Sequence, residues 1–310
     1  MREQSKLGND LGFGVKASVN DQPIMNRDGS TNIKRKGLPI FRYADTYNSL
    51  ITMSWSKFLF LILIAYLVIN TLFAYLYMLI GINHLNGVVL GAWINNFFDA
   101  FFFSAQTIST VGYGHISPSG FLTSLLAAIE SMLGLLSFAL ATGLLYGRFS
   151  RPSAKIKYSE NMVIAPFDTG EALMFRLANY RSNQLIEIEA QVLFSMNVNE
   201  NGNVIRRYWP LNLERSKISI LTLSWTVVHP INDESPLWGL NAGDLDENKA
   251  EIVIFLKAFD DTFSQTVHSR TSYNHDRVVW KAKFKSAIET DENGILTLDM
   301  GKISHYEKLV

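Results

Sequence analysis

The 310-residue sequence predicts a multi-domain membrane protein, in which a two-transmembrane-helix pore module precedes a cytoplasmic β-sandwich. Three observations carry this expectation. Two apolar stretches, residues 58–80 and 121–146, are each long enough to cross a hydrocarbon core of about 30 Å. No Lys or Arg occurs from Phe58 to Gly147, whereas both flanks are basic. Beyond Arg151-Pro152 the pattern changes to short runs of period-two alternation separated by turn residues.

Residues 1–42 are mostly polar, with Gly8, Gly12, Gly14 and Gly29, and read as a cytoplasmic N-terminal segment. They carry no basic-then-apolar cleavable signal, so the first span is expected to serve as its own insertion signal. Residues 43–57 are expected to form an interfacial helix, with Tyr43, Tyr47, Leu50 and Ile51 on one face. Such a helix either rests in the interfacial plane or packs on its own protein, and its place directly before a span favours the first. The pore domain is expected over 58–151, with an outer helix at 58–80 and an inner helix at 121–148. Residues 97–109 are apolar but too short to span, which predicts a re-entrant pore helix between them. Asn70 is the lone strongly polar side chain of the first span and is expected to bond to another helix. Glu130 is an intramembrane carboxylate, either functional or a bonded group near the outer interface, the latter favoured.

The flanking Arg27, Lys34, Arg35, Lys36, Arg42 and Lys57, and Arg148, Arg151, Lys155 and Lys157, place both ends of the pair of spans in the cytoplasm by the positive-inside rule. The 28 basic residues balance 28 acidic ones, so no basic excess points to nucleic acid. The absence of cysteine excludes a disulfide framework, a thiolate metal site and a cysteine nucleophile. Residues 152–310 form the second domain. Its strand-like runs are 185–194, 204–209, 218–228, 251–259, 277–284 and 295–299, with hairpin signals at Asn201-Gly202 and Asn293-Gly294. In the first run, Ile186, Ile188, Ala190, Val192 and Phe194 are expected on one face. There is no glycine-rich phosphate loop, and His229, His268 and Asp233 lack the spacing of a catalytic or metal site, so they read as structural and the chain as no enzyme.

The segment Thr110-Val111-Gly112-Tyr113-Gly114 follows the re-entrant helix and faces away from the basic flanks. A potassium ion enters a pore only where oxygen atoms replace its hydration shell, and successive rings of backbone carbonyls do this. Glycine at alternate positions tolerates the positive φ such a backbone needs. Val111 and Tyr113 would brace the loop from behind, and the Thr110 hydroxyl would add an oxygen at the inner end. The preceding helix would aim its partially negative C-terminus at a cation. One chain supplies a quarter of each ring, so a homotetramer binding K+ is expected.

These residues, and stretches far more specific than the filter, resemble the prokaryotic branch of the inward-rectifier potassium channels. The matching stretches run from about Asn9 to Lys302: NDLGFG, NRDGSTNI, FFFSAQTISTVGYGHISPSG, LLYGRFSRP, LMFRLANYRSNQLIE, LSWTVVHPINDESPLWG and VHSRTSY. The resemblance implies an immunoglobulin-like β-sandwich at 152–310, a bacterial inner (plasma) membrane location, K+ as permeant ion and no organic cofactor. It places an inner gate at Tyr146, a cavity position at Phe138 and acidic cytoplasmic-pore positions at Glu187 and Asp261. Mg2+, Ba2+ and polyamines are the implied blockers, with Phe138 standing where strong rectification needs an acid. Gly134 and Gly143 serve either as hinges or for close helix packing. Arg148, Arg151, Lys155 and Lys157 match positions that bind anionic lipid, or they fix orientation alone; the sign of a lipid effect is open. Gln106, with His115 and Ile116 after the filter, replaces a Glu paired with a basic residue in many relatives, which removes a buried charge pair and its desolvation cost. The competing class is a membrane-anchored β-sandwich binding protein whose filter does not conduct.

Overall fold

The computed structural model describes residues 23, 25–33, 43–150, 154–200, 202–290 and 293–309. Most of the expected N-terminal segment, and Arg151, lie outside the described residues, as do the side chains of residues 43–45. The chain divides into two compact units, Gly37–Arg151 and a second that joins Met1–Lys36 to Pro152–Val310.

The first unit is helical. Helix α1 (Tyr43–Thr52) ends at a break, and α2 (Trp55–Ile80) begins three residues later. Residues 55–57 therefore belong to the outer helix and not, as expected, to the interfacial one. At 26 residues α2 is about 39 Å long, more than a hydrocarbon core needs. It stops at Gly81, whose φ of 122° only glycine adopts freely and whose N–H bonds Tyr77 O. A two-residue ladder pairs β1 (Leu85–Asn86) with β2 (Ser117–Pro118), tying the loop after α2 to the stretch after Gly114. Helix α3 (Trp93–Ile108) starts four residues before the expected Phe97. The asparagines that read as loop close it instead: the Asn96 amide bonds both N and O of Gly91, and Trp93 stacks on Phe97 at 5.7 Å. Helix α4 (Phe121–Phe149) is the second span. Phe73, Ala74, Tyr77, Ala100, Phe103 and Ala127 pack where α2, α3 and α4 meet, while the remaining faces of α2 and α4 expose Leu, Ile and Phe. An apolar exterior on a packed interior suits lipid as the solvent.

The second unit is built from β3 (Ile156–Tyr158), β4 (Met162–Phe167), β5 (Gly170–Asn179), β6 (Leu185–Glu200), β7 (Asn203–Pro210), β8 (Lys217–Ile220) and β9 (Ser224–Ile231). A short helix α5 (Ala242–Glu247), capped by Asn241, leads into β10 (Glu251–Asp260), β11 (Gln265–Asn274) and β12 (Val278–Trp280). Small ladders of β13 (Ala282–Phe284) with β16 (Tyr306–Lys308), and β14 (Ile288–Thr290) with β15 (Leu296–Leu298), complete it. One sheet has the order β12-β4-β5-β3 with β9 on β5; the other has β11-β10-β6-β7 with β8 on β6. Ile164, Leu173, Phe175 and Leu177 of the first meet Ile188, Val192, Phe194, Ile252 and Ile254 of the second in one core. This is a sandwich, with the β6–β7 hairpin turning at Gly202, φ 80°.

Three strand expectations change. The run 218–228 splits into β8 and β9, which join opposite sheets, so its middle is the crossover between layers. The run 277–284 breaks at Lys281, φ 50°. In β6 the alternation is interrupted: Glu187 has φ 51°, and the register against β10 shifts by one between Lys257 and Phe259. This bulge turns Leu185 inward and leaves Ile186 half-buried, while Ile188, Ala190, Val192 and Phe194 keep the core face.

The described N-terminal stretch docks on this unit. Met25 is buried against Leu193 and Val253. Its N–H reaches Glu251 Oε1 at 3.3 Å, and its carbonyl accepts from Ser272 Oγ at 2.6 Å. Arg27 donates to Glu160 O at 2.9 Å and lies 5.8 Å over the Tyr273 ring. Glu251 also holds Arg206 at 3.2 Å in a buried pair, so the docking point is a fixed charge.

Candidate functional site

The loop after α3 alternates in hand. Thr110, Gly112 and Gly114 have φ of 59°, 51° and 79°, with Val111 and Tyr113 between them. Positive φ at every second residue turns successive peptide planes so that their carbonyls share one side of the strand. Thr110 adopts this conformation without being glycine, which the sequence did not announce. The loop is anchored at its start, where the Gln106 carbonyl accepts from Val111 N at 3.0 Å and Gly112 N at 3.3 Å. Gln106 thus meets the loop through its backbone carbonyl. Val111 and Tyr113 are 54% and 79% exposed on the single chain. After Gly114, His115 O approaches Gly87 so closely that a Cβ there would sit 2.0 Å away.

Gly134 and Gly143 separate cleanly. A Cβ on Gly134 would meet Ile108 O at 2.1 Å, so this glycine lets α4 lie against the end of α3; a Cβ on Gly143 would meet nothing within 4 Å. Phe138 and Tyr146 are exposed. Gly147 faces α1, with Tyr47 Oη 3.0 Å from the position of a Cβ.

Arg148, expected to bind anionic lipid or to fix orientation alone, bonds within its own unit. Its guanidinium donates to Leu50 O at 2.6 Å and Met53 O at 2.7 Å, and stacks 4.6 Å from the Trp55 ring and 4.4 Å from Phe58. It satisfies carbonyls left open where α1 ends, a task that suits the planar fork of arginine. Lys155 and Lys157 lie with Arg27, Tyr180 and Arg270 around a hollow of about 430 Å3 on the second unit, a basic surface with one acidic neighbour, Asp28. Glu187 and Asp261 come to the same end of one sheet: Leu185 pairs with Asp260, and Asp261 N donates to Gln184 O. Both are exposed, and Glu187 shares a hollow of about 1050 Å3 with Glu189, Arg215, Lys217 and Lys257. Among the described residues no group of His, Asp and Glu has the arrangement of a metal site. His229 is held between Asn212 O at 2.6 Å and Ser235 Oγ at 2.8 Å, and burial lowers its pKa.

Sequence reasoning saw Asn70 and Glu130 but missed their partners. Asn70 and Tyr77 stand seven residues apart on one stripe of α2, and Ser104 Oγ links Asn70 Oδ1, at 3.0 Å, to Glu130; Tyr77 Oη donates to Glu130 Oε2 at 2.6 Å. The heptad spacing of two polar residues in an apolar helix was the available signal.

A half-spanning helix that delivers a carbonyl-lined loop between two membrane spans defines a two-span ion channel. Comparison with known families agrees. Residues 61–151 match the family model described as ion channel, and residues 156–309 match the inward rectifier potassium channel C-terminal domain. The inward rectifier potassium channel Kirbac3.1 of Paramagnetospirillum magnetotacticum is 40% identical over 291 residues, 93% of this chain and 97% of the relative. The G protein-activated inward rectifier potassium channel 3 of Homo sapiens is 28% identical over 301 residues, covering 90% and 76%. The ATP-sensitive inward rectifier potassium channel 12 of Gallus gallus is 25% identical over 296 residues, covering 87% and 68%. The chain belongs to the inward rectifier potassium channel family, as a bacterial-type member.

Proposed function

We propose that four copies assemble around one axis and conduct K+ through stacked carbonyl rings supplied by Thr110 to Gly114. The observation that carries this is the alternation of φ along the loop, which turns successive carbonyls to one side of the strand. Carbonyl oxygens so arranged can replace the hydration shell of a potassium ion. The C-terminus of α3 points its partial negative charge toward the inner end of the filter. The exposed Val111 and Tyr113 are the surfaces that neighbouring copies would cover.

Tyr146 forms the inner gate. Gly147 and Arg148 face α1, and at about 100° per residue Tyr146 is turned away from it. Four rings at a helix crossing close the path to a hydrated cation and favour dewetting. Gly143, free of close contacts, is the hinge, whereas Gly134 is a packing glycine. Phe138 lines the cavity without an acid, so block by Mg2+ or polyamines is weak, with Glu187 and Asp261 as the remaining acidic positions. Anionic lipid acts at Lys155 and Lys157, the ends of basic flanks that also set both termini in the cytoplasm of a bacterial plasma membrane.

Rubidium uptake into liposomes containing the purified protein tests the reading. Uptake driven by a potassium gradient, blocked by Ba2+ and largely excluding Na+, is the expected result. Equal uptake of Na+ and K+ by folded tetramers would remove the filter assignment and favour no selective pore.

A further inference from the structure

Four polar side chains are sealed where the long helices of the membrane unit meet. Asn70 and Tyr77 of α2, Ser104 of α3 and Glu130 of α4 are each 0% exposed within a single chain. Their hydrogens can be assigned from what each atom is able to do. Asn70 Nδ2 lies 2.6 Å from Tyr66 O, and a carbonyl only accepts, so the amide nitrogen donates there. Asn70 Oδ1 therefore faces Ser104 Oγ at 3.0 Å, and this oxygen also only accepts. Ser104 has one hydrogen, and that contact takes it. Ser104 Oγ is simultaneously in hydrogen-bond contact with Glu130 Oε1. The hydrogen in that contact has to come from Glu130. On its other side Glu130 Oε2 accepts from the Tyr77 hydroxyl at 2.6 Å.

A carboxylate at Glu130 would leave two hydrogens for three oxygen–oxygen contacts, so two bare acceptors would face each other out of water. It would also place a buried charge with no cation beside it. Among the described residues the groups bonded to Glu130 are Tyr77 from α2 and Ser104 from α3, and none of its partners is basic. A neutral acid satisfies every contact in one directional chain: Tyr77 to Glu130, Glu130 to Ser104, Ser104 to Asn70, and Asn70 to the Tyr66 carbonyl.

We propose that Glu130 is a neutral, proton-donating carboxylic acid in the assembled protein and a positioning residue for the filter. The route is short. Ser104 stands two residues before Gln106, whose carbonyl holds the N–H groups of Val111 and Gly112. Fastening Ser104 from α2 and α4 at once fixes the axial position of that turn of α3, and through it the height of the carbonyl rings. The effect on conduction rests on the proposed filter reading; the protonation does not.

The test uses the full-length protein assembled in lipid and has two arms. In the infrared arm, the difference spectrum between wild type and Glu130→Gln should contain the carbonyl stretch of a protonated carboxylic acid, present in wild type only. Ser104→Ala should keep this band and move it to higher frequency, because the acid loses its acceptor. A spectrum in which Glu130→Gln removes only carboxylate bands overturns the proposal, whatever the channel conducts. In the flux arm, Glu130→Gln offers the same donor and acceptor and should rescue conduction, while Glu130→Ala and Ser104→Ala should lose roughly ten-fold in rubidium uptake or in selectivity over Na+. Ser104→Ala leaves α4 untouched and serves if Glu130→Ala fails to assemble. Wild-type uptake and selectivity in assembled Ser104→Ala overturn the positioning role.

Discussion

At Gly112 the backbone alone decides the outcome of a substitution. A Cβ there would meet no atom within 4 Å, so space is not the obstacle; the φ of 51° is. Holding an L-residue in that region costs roughly 1–2 kcal/mol per chain, or about 4–8 kcal/mol for a ring of four. Gly112→Ala should therefore reduce rubidium uptake by well over ten-fold while leaving the protein folded, as circular dichroism would show; unchanged uptake would place the conducting backbone elsewhere. His229 makes a prediction of opposite kind. Its Nδ1–H donates to the Asn212 carbonyl and its Nε2 accepts from Ser235, so the fold holds the neutral ring and burial lowers its pKa. The unfolded chain then binds the proton more readily. Stability from this residue is complete above the ordinary value of about 6.5 and is lost as pH falls through and below it. Melting temperature should drop on acidification from about pH 7 to 5, and His229→Gln should flatten that dependence, if at lower stability; an identical slope would assign the acid sensitivity to other groups. The turn to positive φ at Gly112 and Gly114 was legible at this scale, because the freedom of glycine is local. The left-handed Thr110 and the occupied Arg148 were not, since neither conformation nor partner is written in the residue itself.

Elements obey neighbours as well as their own pattern. Gly134 and Gly143 look alike in sequence, and only packing tells them apart. Gly134→Ala would push a methyl group to within 2.1 Å of Ile108 O, at the turn just before Thr110. Overpacking of this kind costs about 1–3 kcal/mol. Gly143→Ala meets nothing and removes a flexible glycine from a helix, a change worth up to about 1 kcal/mol in favour of the fold. The first should lower the thermal stability of the protein in detergent and the second should not; equal melting temperatures would show that α4 can yield beside α3. Helix and strand identities were legible from periodicity, but their limits were not. The turn of α3 from Trp93 to Asn96 looked like loop because its asparagines are polar, until Asn96 is seen closing the loop at Gly91. The bulge at Glu187 is invisible in a pattern that alternates on paper through it.

At the scale of the whole molecule, the membrane unit is inserted in sequence between two parts of the other unit. If four copies share one pore, a single chain carrying Gly112→Ala should slow the assembly that contains it by on the order of ten-fold. Co-expressed at equal dose with wild type, random mixing leaves about one assembly in sixteen free of it. Uptake near half of wild type would instead indicate one pore per chain. The two-domain order was legible from the change in hydrophobic period after Pro152, whereas the return of the N-terminal stretch to the second unit was not, because Met25 finds Glu251 and Ser272 only in three dimensions. That return has a consequence for synthesis. The carbonyl of Met25 waits for a hydroxyl 247 residues further along the chain. At about 5–20 residues per second the ribosome needs roughly 12–50 s to supply it, and both spans emerge in the interval. The Met25 stretch, made before either span, is among the last to reach its place, so a chain that stops before Ser272 can hold both helices in the bilayer and still leave Met25 undocked, a handle by which proteolysis would tell unfinished chains from finished ones.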